Sequence, residues 1–226
     1  MDWFNFLTGQ KARQSSFVVD YIRRFENKKA DSDEPVSRCS FVALDTETTG
    51  LEVKRDYIVS YGSVAIRSYA IKVNRARQLY LHPKKESTKE AIKVHEIINA
   101  KDTLSLRSFV KLFLGDIGHA VLVGHNIGFD IAMLEKAARP FGLKKIRNHR
   151  LDTYDLAVRL ELGKHTDYSL INKKDYQLDA LCRRYHIPLD DRHTAAGDAF
   201  LTAQLFLKLL KIAEKRGITT LGSLLS

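Results

Sequence analysis

Cysteine and long apolar runs are both scarce in this sequence. Among 226 residues there are two cysteines, Cys39 and Cys182, and they show no pairing pattern. This excludes a disulfide framework and a cysteine-ligated zinc site, and it is typical of a reducing compartment. No segment approaches the ~20 apolar residues of a membrane-spanning helix, and residues 1–14 lack the apolar run of a signal peptide. We therefore expect a cytoplasmic protein that does not associate with membranes.

Positive charge, by contrast, is abundant. The formal net charge is +10 and the isoelectric point is about 9.5. A basic surface attracts polyanions, so nucleic acid is a candidate partner. Many proteins are basic for no specific purpose, however, and charge alone does not decide between the two interpretations.

The order of the apolar segments predicts an α/β domain that follows a helical extension. We expect residues 1–37 to form an N-terminal helix and a polar linker, and residues 38–226 to form one domain. Three strands come first and helices and strands then alternate, which indicates a mixed five-stranded sheet flanked by helices. The predicted strands are 41–45, 57–66, 78–82, 120–124 and 149–152. The predicted helices are 105–114, 127–138, 153–162, 178–185 and 194–215.

An aromatic cluster precedes the N-terminal helix, and it consists of Trp3, Phe4, Phe6 and Leu7. Such a cluster can dock a partner protein, or it can pack back on the body of the same chain. Both interpretations remain open from the sequence.

Two acidic residues, Asp45 and Glu47, lie at the end of the first predicted strand. Residues two apart on a strand point to the same face. Two carboxylates side by side repel each other unless a cation lies between them. An ordinary strand end with acids reaching into solvent would show the same spacing.

Two further acids accompany them later in the chain. Asp130 falls on the helix that begins near Ile127, about 60° from its apolar face, so it should be at least half buried. Asp198 follows His193 by five positions, and on one helix the two would diverge by about 140°. They converge only if His193 lies on the preceding loop, with Thr194 as the helix N-cap.

Carboxylates within apolar segments are costly to desolvate without a counter-charge. The three short blocks that contain these acids supply neither lysine nor arginine. A shared divalent cation is the economical solution, and carboxylate oxygens suit Mg²⁺ or Mn²⁺. A histidine with an ordinary pKa near ~6.5 can accept a proton from water beside such ions.

Together the blocks resemble the DEDDh exonuclease superfamily, and in particular the epsilon proofreading subunits of bacterial DNA polymerase III. The similarity covers roughly residues 40–216. Its motifs are Asp45-Thr46-Glu47-Thr48-Thr49-Gly50-Leu51, then Asn126-x-x-Phe129-Asp130, then His193-x-x-x-x-Asp198.

The resemblance implies a ribonuclease H-like fold and removal of nucleotides from 3′ ends with two Mg²⁺ or Mn²⁺ ions. By the same resemblance, Asp45 bridges the ions, Glu47 and Asp198 complete the first site, and Asp130 supports the second. His193 would deprotonate the attacking water.

The resemblance also implies substrate-binding residues. Leu51 corresponds to an apolar wedge between the terminal bases, and His95 to a contact with the terminal nucleotide. Thr48, Asn126 and Phe129 correspond to positions around the pocket. Each also has an ordinary interpretation as packing or capping, with Asn126 well placed as a helix N-cap.

Three functions remain open from the sequence. We expect a 3′→5′ exonuclease acting on single-stranded or frayed DNA and releasing nucleoside 5′-monophosphates. The alternatives are an RNA exonuclease of the ribonuclease T or oligoribonuclease type, and a catalytically silent nucleic-acid binding module. The sequence lacks the long tail with which epsilon-like subunits bind their polymerase, so we expect a free-standing enzyme or one docked through its N-terminal segment.

Overall fold

Six strands form one mixed sheet in the computed structural model, which describes residues 14–26, 32–82 and 103–226. The strands are β1 Ser40–Thr48, β2 Ile58–Arg67, β3 Ala70–Leu81, β4 Thr103–Leu104, β5 Val121–Gly124 and β6 Arg150–Asp152. Their order across the sheet is β4-β3-β2-β1-β5-β6. The β1–β2 and β2–β3 pairs are antiparallel, and the other three pairs are parallel.

Helices cover both faces of this sheet. In the described residues they are α1 Ser16–Arg23, α2 Leu106–Ile117, α3 Gly128–Ala138, α4 Thr153–Leu162, α5 Leu178–Arg184, α6 Ala195–Lys215 and α7 Leu221–Leu225. Short 3₁₀ turns occur at Val36–Arg38, Arg139–Phe141, Tyr168–Leu170 and Lys173–Tyr176. None of the helices in these ranges is long and apolar enough to cross a membrane.

The α/β class is therefore confirmed, with six strands in place of the predicted five. The additional strand, β4, is two residues long, too short to show an alternating pattern. The other large difference is that β3 begins at Ala70, eight residues before the predicted start at Gln78. Most of this added stretch is exposed and three of its residues are basic, so it lacks the apolar alternation that marks a strand.

Strand β1 is apolar because it is covered on both sides. Successive side chains of a strand point to opposite faces. Phe41 and Ala43 pack in one core with α6, where the Phe41 and Phe206 rings lie 4.9 Å apart. Val42 and Leu44 pack in a second core with α2. The same alternation directs Asp45 and Glu47 to the α6 face.

Helix α1 packs onto the body of the protein. Val18 and Tyr21 are buried in the core that contains α2. The Tyr21 hydroxyl donates to Asn148 Oδ1 at 2.7 Å and accepts from the Arg147 backbone N–H at 2.8 Å. The aromatic cluster of Trp3, Phe4, Phe6 and Leu7 lies outside the described residues, and so does His95.

Both cysteines are free and buried, in agreement with the prediction that no disulfide framework is present. Burial raises the pKa of the Cys182 thiol to about 11. The thiol is therefore protonated and unreactive at neutral pH.

Candidate active site

Three predicted acids meet at one place. Oxygens of Asp45 and Glu47 on β1 and of Asp198 on α6 all lie within 4.8 Å of one another. Asp198 is buried at 8% exposure, and Asp45 and Glu47 are partly buried. Oxygen atoms at this spacing are the ligands that hard divalent cations prefer.

A glycine permits this approach. Gly62 on β2 lies opposite Asp45 in the sheet. A Cβ atom at Gly62 would lie 2.1 Å from the carbonyl carbon and oxygen of Ala195, in the first turn of α6. Only a residue without a side chain lets β2 and α6 come so close, and this contact brings Asp198 towards β1.

The loop before α6 carries His193. Thr194 is the N-cap of α6, and its hydroxyl oxygen accepts a hydrogen bond from the Gly197 N–H at 3.0 Å. His193 has φ 64°, a left-handed conformation that turns the chain just before the helix. The sequence-based prediction that His193 lies on the loop, with Thr194 as N-cap, is confirmed. His193 is exposed at the mouth of the acid cluster.

Asp130 lies beside the cluster and is buried at 5% exposure. Its Oδ1 accepts hydrogen bonds from the Thr46 N–H at 2.9 Å and from the Thr46 hydroxyl at 2.6 Å. Burial raises the pKa of Asp130 to about 6 against the effect of these hydrogen bonds. Thr46, which lies between Asp45 and Glu47 in β1, thus fixes the position of the Asp130 carboxylate.

The acids strongly perturb each other. Burial raises the pKa of Asp45 to about 9, and repulsion from Asp130, Asp198 and Glu47 adds to the shift. Burial, followed by repulsion from Asp198, also raises the pKa of Glu47, and the nearby His193 opposes this. A site that disfavours ionisation of its own acids gains stability when a cation binds them. The donor set therefore fits a divalent metal ion.

A counter-charge is nevertheless present, and the sequence motifs did not predict it. The Arg192 guanidinium forms ion pairs with Asp198 and with Asp179 of α5. The three blocks themselves contain no lysine or arginine, as the sequence showed, but a neighbouring residue outside them supplies the charge. Arg192 directly precedes the third block, and this position was the one sign in the sequence that it could contact the acids. Left-handed residues on both sides of it, Asp191 and His193, turn the chain so that Arg192 reaches inward.

Asp152 is a second residue whose role was missed. Its two carboxylate oxygens accept from the backbone N–H groups of Asn126 and Ile127, each at 3.0 Å. It also caps α4 by accepting from the Tyr154 N–H at 2.9 Å. Asp152 therefore holds the loop that precedes Asp130.

The predicted substrate-binding residues have different surroundings. Leu51 is 85% exposed just beyond β1. Thr48 donates its hydroxyl to the Gly50 carbonyl at 2.7 Å. Phe129 is half-buried against the α2 core. Asn126 is exposed and has φ 60°, and the N-cap of α3 is Ile127. The alternative of Asn126 as N-cap is therefore wrong, because its backbone is left-handed.

His125 has the surroundings of a structural residue. One ring nitrogen, Nδ1, lies 2.9 Å from the Thr153 hydroxyl oxygen. Burial lowers the pKa of His125 to about 4, so its ring is neutral at physiological pH.

Comparison with known proteins identifies the family of this chain. The RNase_T model, described as an exonuclease, matches residues 42–206. The chain is 31% identical to the DNA polymerase III PolC-type of Caldanaerobacter subterraneus subsp. tengcongensis, over 81% of this chain and 12% of that protein. It is 32% identical to a DNA polymerase III subunit epsilon-like protein of Rhodobacter capsulatus, over 95% of this chain and 30% of that protein. The chain thus spans less than a third of either relative.

Among solved structures, the fold is similar to that of Escherichia coli exonuclease I in complex with single-stranded DNA. The TM-score is 0.63 at 17% identity, over 80% of this chain and 42% of that chain. This similarity confirms the ribonuclease H-like fold. The match over residues 42–206 shows that the chain belongs to the RNase_T exonuclease family.

Proposed function

We propose that this chain is a metal-dependent 3′→5′ exonuclease that removes nucleoside 5′-monophosphates from single-stranded or frayed DNA. The observation that carries the proposal is the cluster of Asp45, Glu47 and Asp198 oxygens within 4.8 Å. A buried fourth acid, Asp130, and a histidine on the adjoining loop accompany it. These are the residue types that phosphodiester hydrolysis requires.

Asp45, Glu47 and Asp198 would hold one Mg²⁺ or Mn²⁺ ion. In the two-ion arrangement that the family resemblance implies, Asp130 would support the second ion. When bound, such ions stabilise the charge of the scissile phosphate and of the leaving oxygen. The protein itself holds the acids in fixed positions. Asp45 is fixed in a central strand, Asp130 is fixed by Thr46, and the N-cap of α6 fixes Asp198.

His193 is assigned the role of general base. It is exposed at the mouth of the site, so water and substrate can reach it. An imidazole side chain within reach of the acids can accept the proton of an attacking water. Its left-handed backbone keeps it outside α6, close enough to Glu47 to favour the ionised carboxylate.

Leu51 is assigned the role of a wedge at the 3′ terminus. An 85% exposed leucine beside an acid cluster has no packing role in the free protein. Apolar side chains that enter a stack of bases recover the surface they expose to water. Thr48, Asn126 and Phe129 are assigned to the surrounding pocket, and His95 remains a prediction from the family resemblance.

We propose DNA and not RNA as the substrate for two reasons. The similar proteins are named as DNA polymerase III proteins, and exonuclease I was solved with single-stranded DNA. No residue of the described site distinguishes the two sugars by itself. The experiment therefore tests RNA as the alternative substrate.

The test uses purified protein with Mg²⁺ and matched DNA and RNA oligomers, labelled at either end. We expect 5′-labelled DNA to shorten as a ladder, and 3′-labelled DNA to release a labelled mononucleotide at once. Asp45→Asn, which has nearly the same shape, should abolish both. Ladders on RNA alone would overturn the DNA assignment. A labelled mononucleotide released first from the 5′ end would overturn the direction, and no cleavage in Mg²⁺ or Mn²⁺ would overturn the enzyme.

A further inference from the structure

A second concave surface lies at the other end of β1. Ser40, Phe41 and Val42 line a groove of about 510 Å³, whereas the acids begin at Asp45. At about 3.3 Å per residue, Val42 and Asp45, the nearest of the acids, are roughly 10 Å apart along the strand. The groove is walled by the end of α2, so it lies on the α2 side, and the acids point to the α6 side. It is therefore separate from the proposed active site.

Four arginines line this groove, and we name it the arginine groove. They are Arg24 after α1, Arg67 at the end of β2, and Arg75 and Arg77 on β3. Because they come from three separate elements, their convergence is a property of the fold. A run of charges along one solvated helix or strand would not produce it.

One acid, Asp116, is among the residues that line the groove, and its carboxylate is already occupied. It accepts from the Ser63 hydroxyl at 2.5 Å, from the Tyr61 hydroxyl at 3.2 Å and from Arg77 Nε at 3.2 Å. Asp116 therefore fixes Arg77 in place and leaves the other arginines uncompensated.

The remaining arginines have few partners. Arg24 reaches the Gly115 carbonyl at 3.5 Å, near the C-terminal end of α2, where a cation is favourable. Within the described ranges, no ion pair joins Arg67 or Arg75 to an acid. Both side chains are exposed, so an anion can reach them.

A large bulge in β3 shapes one wall. The pairing runs from Ser63 with Arg77 to Ala65 with Lys72, so residues 73–76 lie opposite Val64 alone. Bulges bend a strand and re-aim its side chains. Here the bulge carries Asn74 and Arg75, a neutral hydrogen-bond donor and a cation, to the edge of the groove.

From these features we propose that the arginine groove binds the phosphodiester backbone of a nucleic-acid strand whose 3′ end occupies the acid cluster. The inference rests on the proposed exonuclease function. Guanidinium groups bind phosphate oxygens through paired hydrogen bonds and carry no sequence preference by this route. Since groove and acids lie on different faces, a strand must pass around the sheet to reach both. Long substrates therefore use the groove, and a dinucleotide does not.

The binding experiment compares two double variants in the non-hydrolysing Asp45→Asn background. Arg67→Gln with Arg75→Gln removes the two uncompensated charges. Lys208→Gln with Lys211→Gln is the matched control, because it removes the same charge from exposed positions of α6. The probe is a fluorescein-labelled oligothymidylate of roughly 30 nucleotides, longer than a typical single-module binding site. Its fluorescence anisotropy is measured at several NaCl concentrations.

We expect the arginine variant to bind the probe roughly tenfold more weakly. The slope of log K against log salt should fall by about 1.4, since each lost single-strand phosphate contact contributes about 0.7. The lysine variant should change the slope much less. Equal affinities and slopes for both double variants would overturn the proposal. So would poly-glutamate binding that depends on these arginines while oligothymidylate binding does not, because the groove would then fit an acidic protein.

Hydrolysis separates this inference from the proposed function. With Asp45 intact, the arginine variant should cleave a dinucleotide at the normal rate and a dilute long oligomer more slowly. Equal losses on both substrates would show that the groove supports the acid site itself, and they would overturn the proposal. If the intact protein cleaves nothing, yet oligomer binding still depends on the arginines, the exonuclease assignment fails and the groove assignment stands.

Discussion

The guanidinium group of Arg192 contacts the carboxylate of Asp198, and Asp179 holds the same guanidinium from its other side. Asp198 also belongs to the acid cluster that fits a divalent cation. The Asp198 carboxylate thus contacts the Arg192 side chain and also belongs to the candidate metal site. A metal ion that binds Asp198 must compete with Arg192, which can withdraw to Asp179.

Arg192→Gln is therefore expected to tighten Mn²⁺ binding, by roughly tenfold, equivalent to about 1.4 kcal/mol. The metal-free variant should also unfold at a lower temperature, because a buried carboxylate loses its partner. Calorimetric titration with Mn²⁺ and thermal unfolding in EDTA measure the two effects. Arg183→Gln is the matched control, since Arg183 approaches Asp179 at 3.8 Å and forms no ion pair with Asp198 among the described residues. Weaker Mn²⁺ binding by the Arg192 variant would show that Arg192 supports the site and does not compete for it.

His193→Ala should lower the turnover rate by about 10²–10⁴-fold, the usual contribution of a general base. Because His193 is not among the clustered metal-ligand candidates of the described residues, Mn²⁺ affinity should change little. Rate measurements with oligonucleotides and titration with Mn²⁺ together test this. His165→Ala, at an exposed position outside the motifs, serves as the control. A His193 variant with near-normal turnover would refute the assignment.

Gly62→Ala should separate the two halves of the acid cluster. The added Cβ would lie 2.1 Å from backbone atoms of Ala195, so the first turn of α6 must move. Overpacking of this kind costs about 1–3 kcal/mol, and the shift would carry Asp198 away from Asp45. Urea unfolding and Mn²⁺ titration should both show a loss. Gly128→Ala is the control, because a Cβ there meets no atom of the described residues within 4 Å. Unchanged Mn²⁺ binding in the Gly62 variant would contradict the role given to this contact.

His125 should make its own contribution to the pH dependence of stability, a loss in mild acid. Its pKa is about 4 in the folded protein and ~6.5 in the unfolded chain, so the unfolded chain binds an extra proton between these values. The stabilisation is complete above pH ~6.5 and is lost as the pH falls towards 4, by roughly 3 kcal/mol in all. Urea unfolding of wild type and His125→Gln from pH 7.5 to 4.5 measures it. The difference between the two proteins should change with pH by about this amount, and parallel curves would exclude His125 as the source.

The acids could be predicted from the sequence because their residue types, spacing and order resemble the motifs of the DEDDh exonucleases. Asp45 and Glu47 share a face through strand geometry alone, and the position of Thr194 as N-cap places His193 on the loop. The apolar run of β1 likewise follows from its cover on both faces. These features depend on short-range rules that a sequence displays directly.

The counter-ion and the arginine groove could not be predicted in the same way. Arg192 reaches Asp198 only because left-handed residues turn the chain on either side of it. The groove depends on a bulge opposite Val64 and on the convergence of Arg24 with β2 and β3. Such contacts are set by tertiary packing, which residue spacing does not encode.

The left-handed backbone of Asn126 and His193 has a consequence for protein engineering. A residue with a Cβ pays roughly 1–2 kcal/mol for this conformation, which glycine adopts freely. Laboratory evolution under heat alone would therefore favour glycine at both positions. The most thermostable variants would then have lost His193, the residue assigned to proton transfer. A selection for thermal stability must therefore measure turnover in the same round.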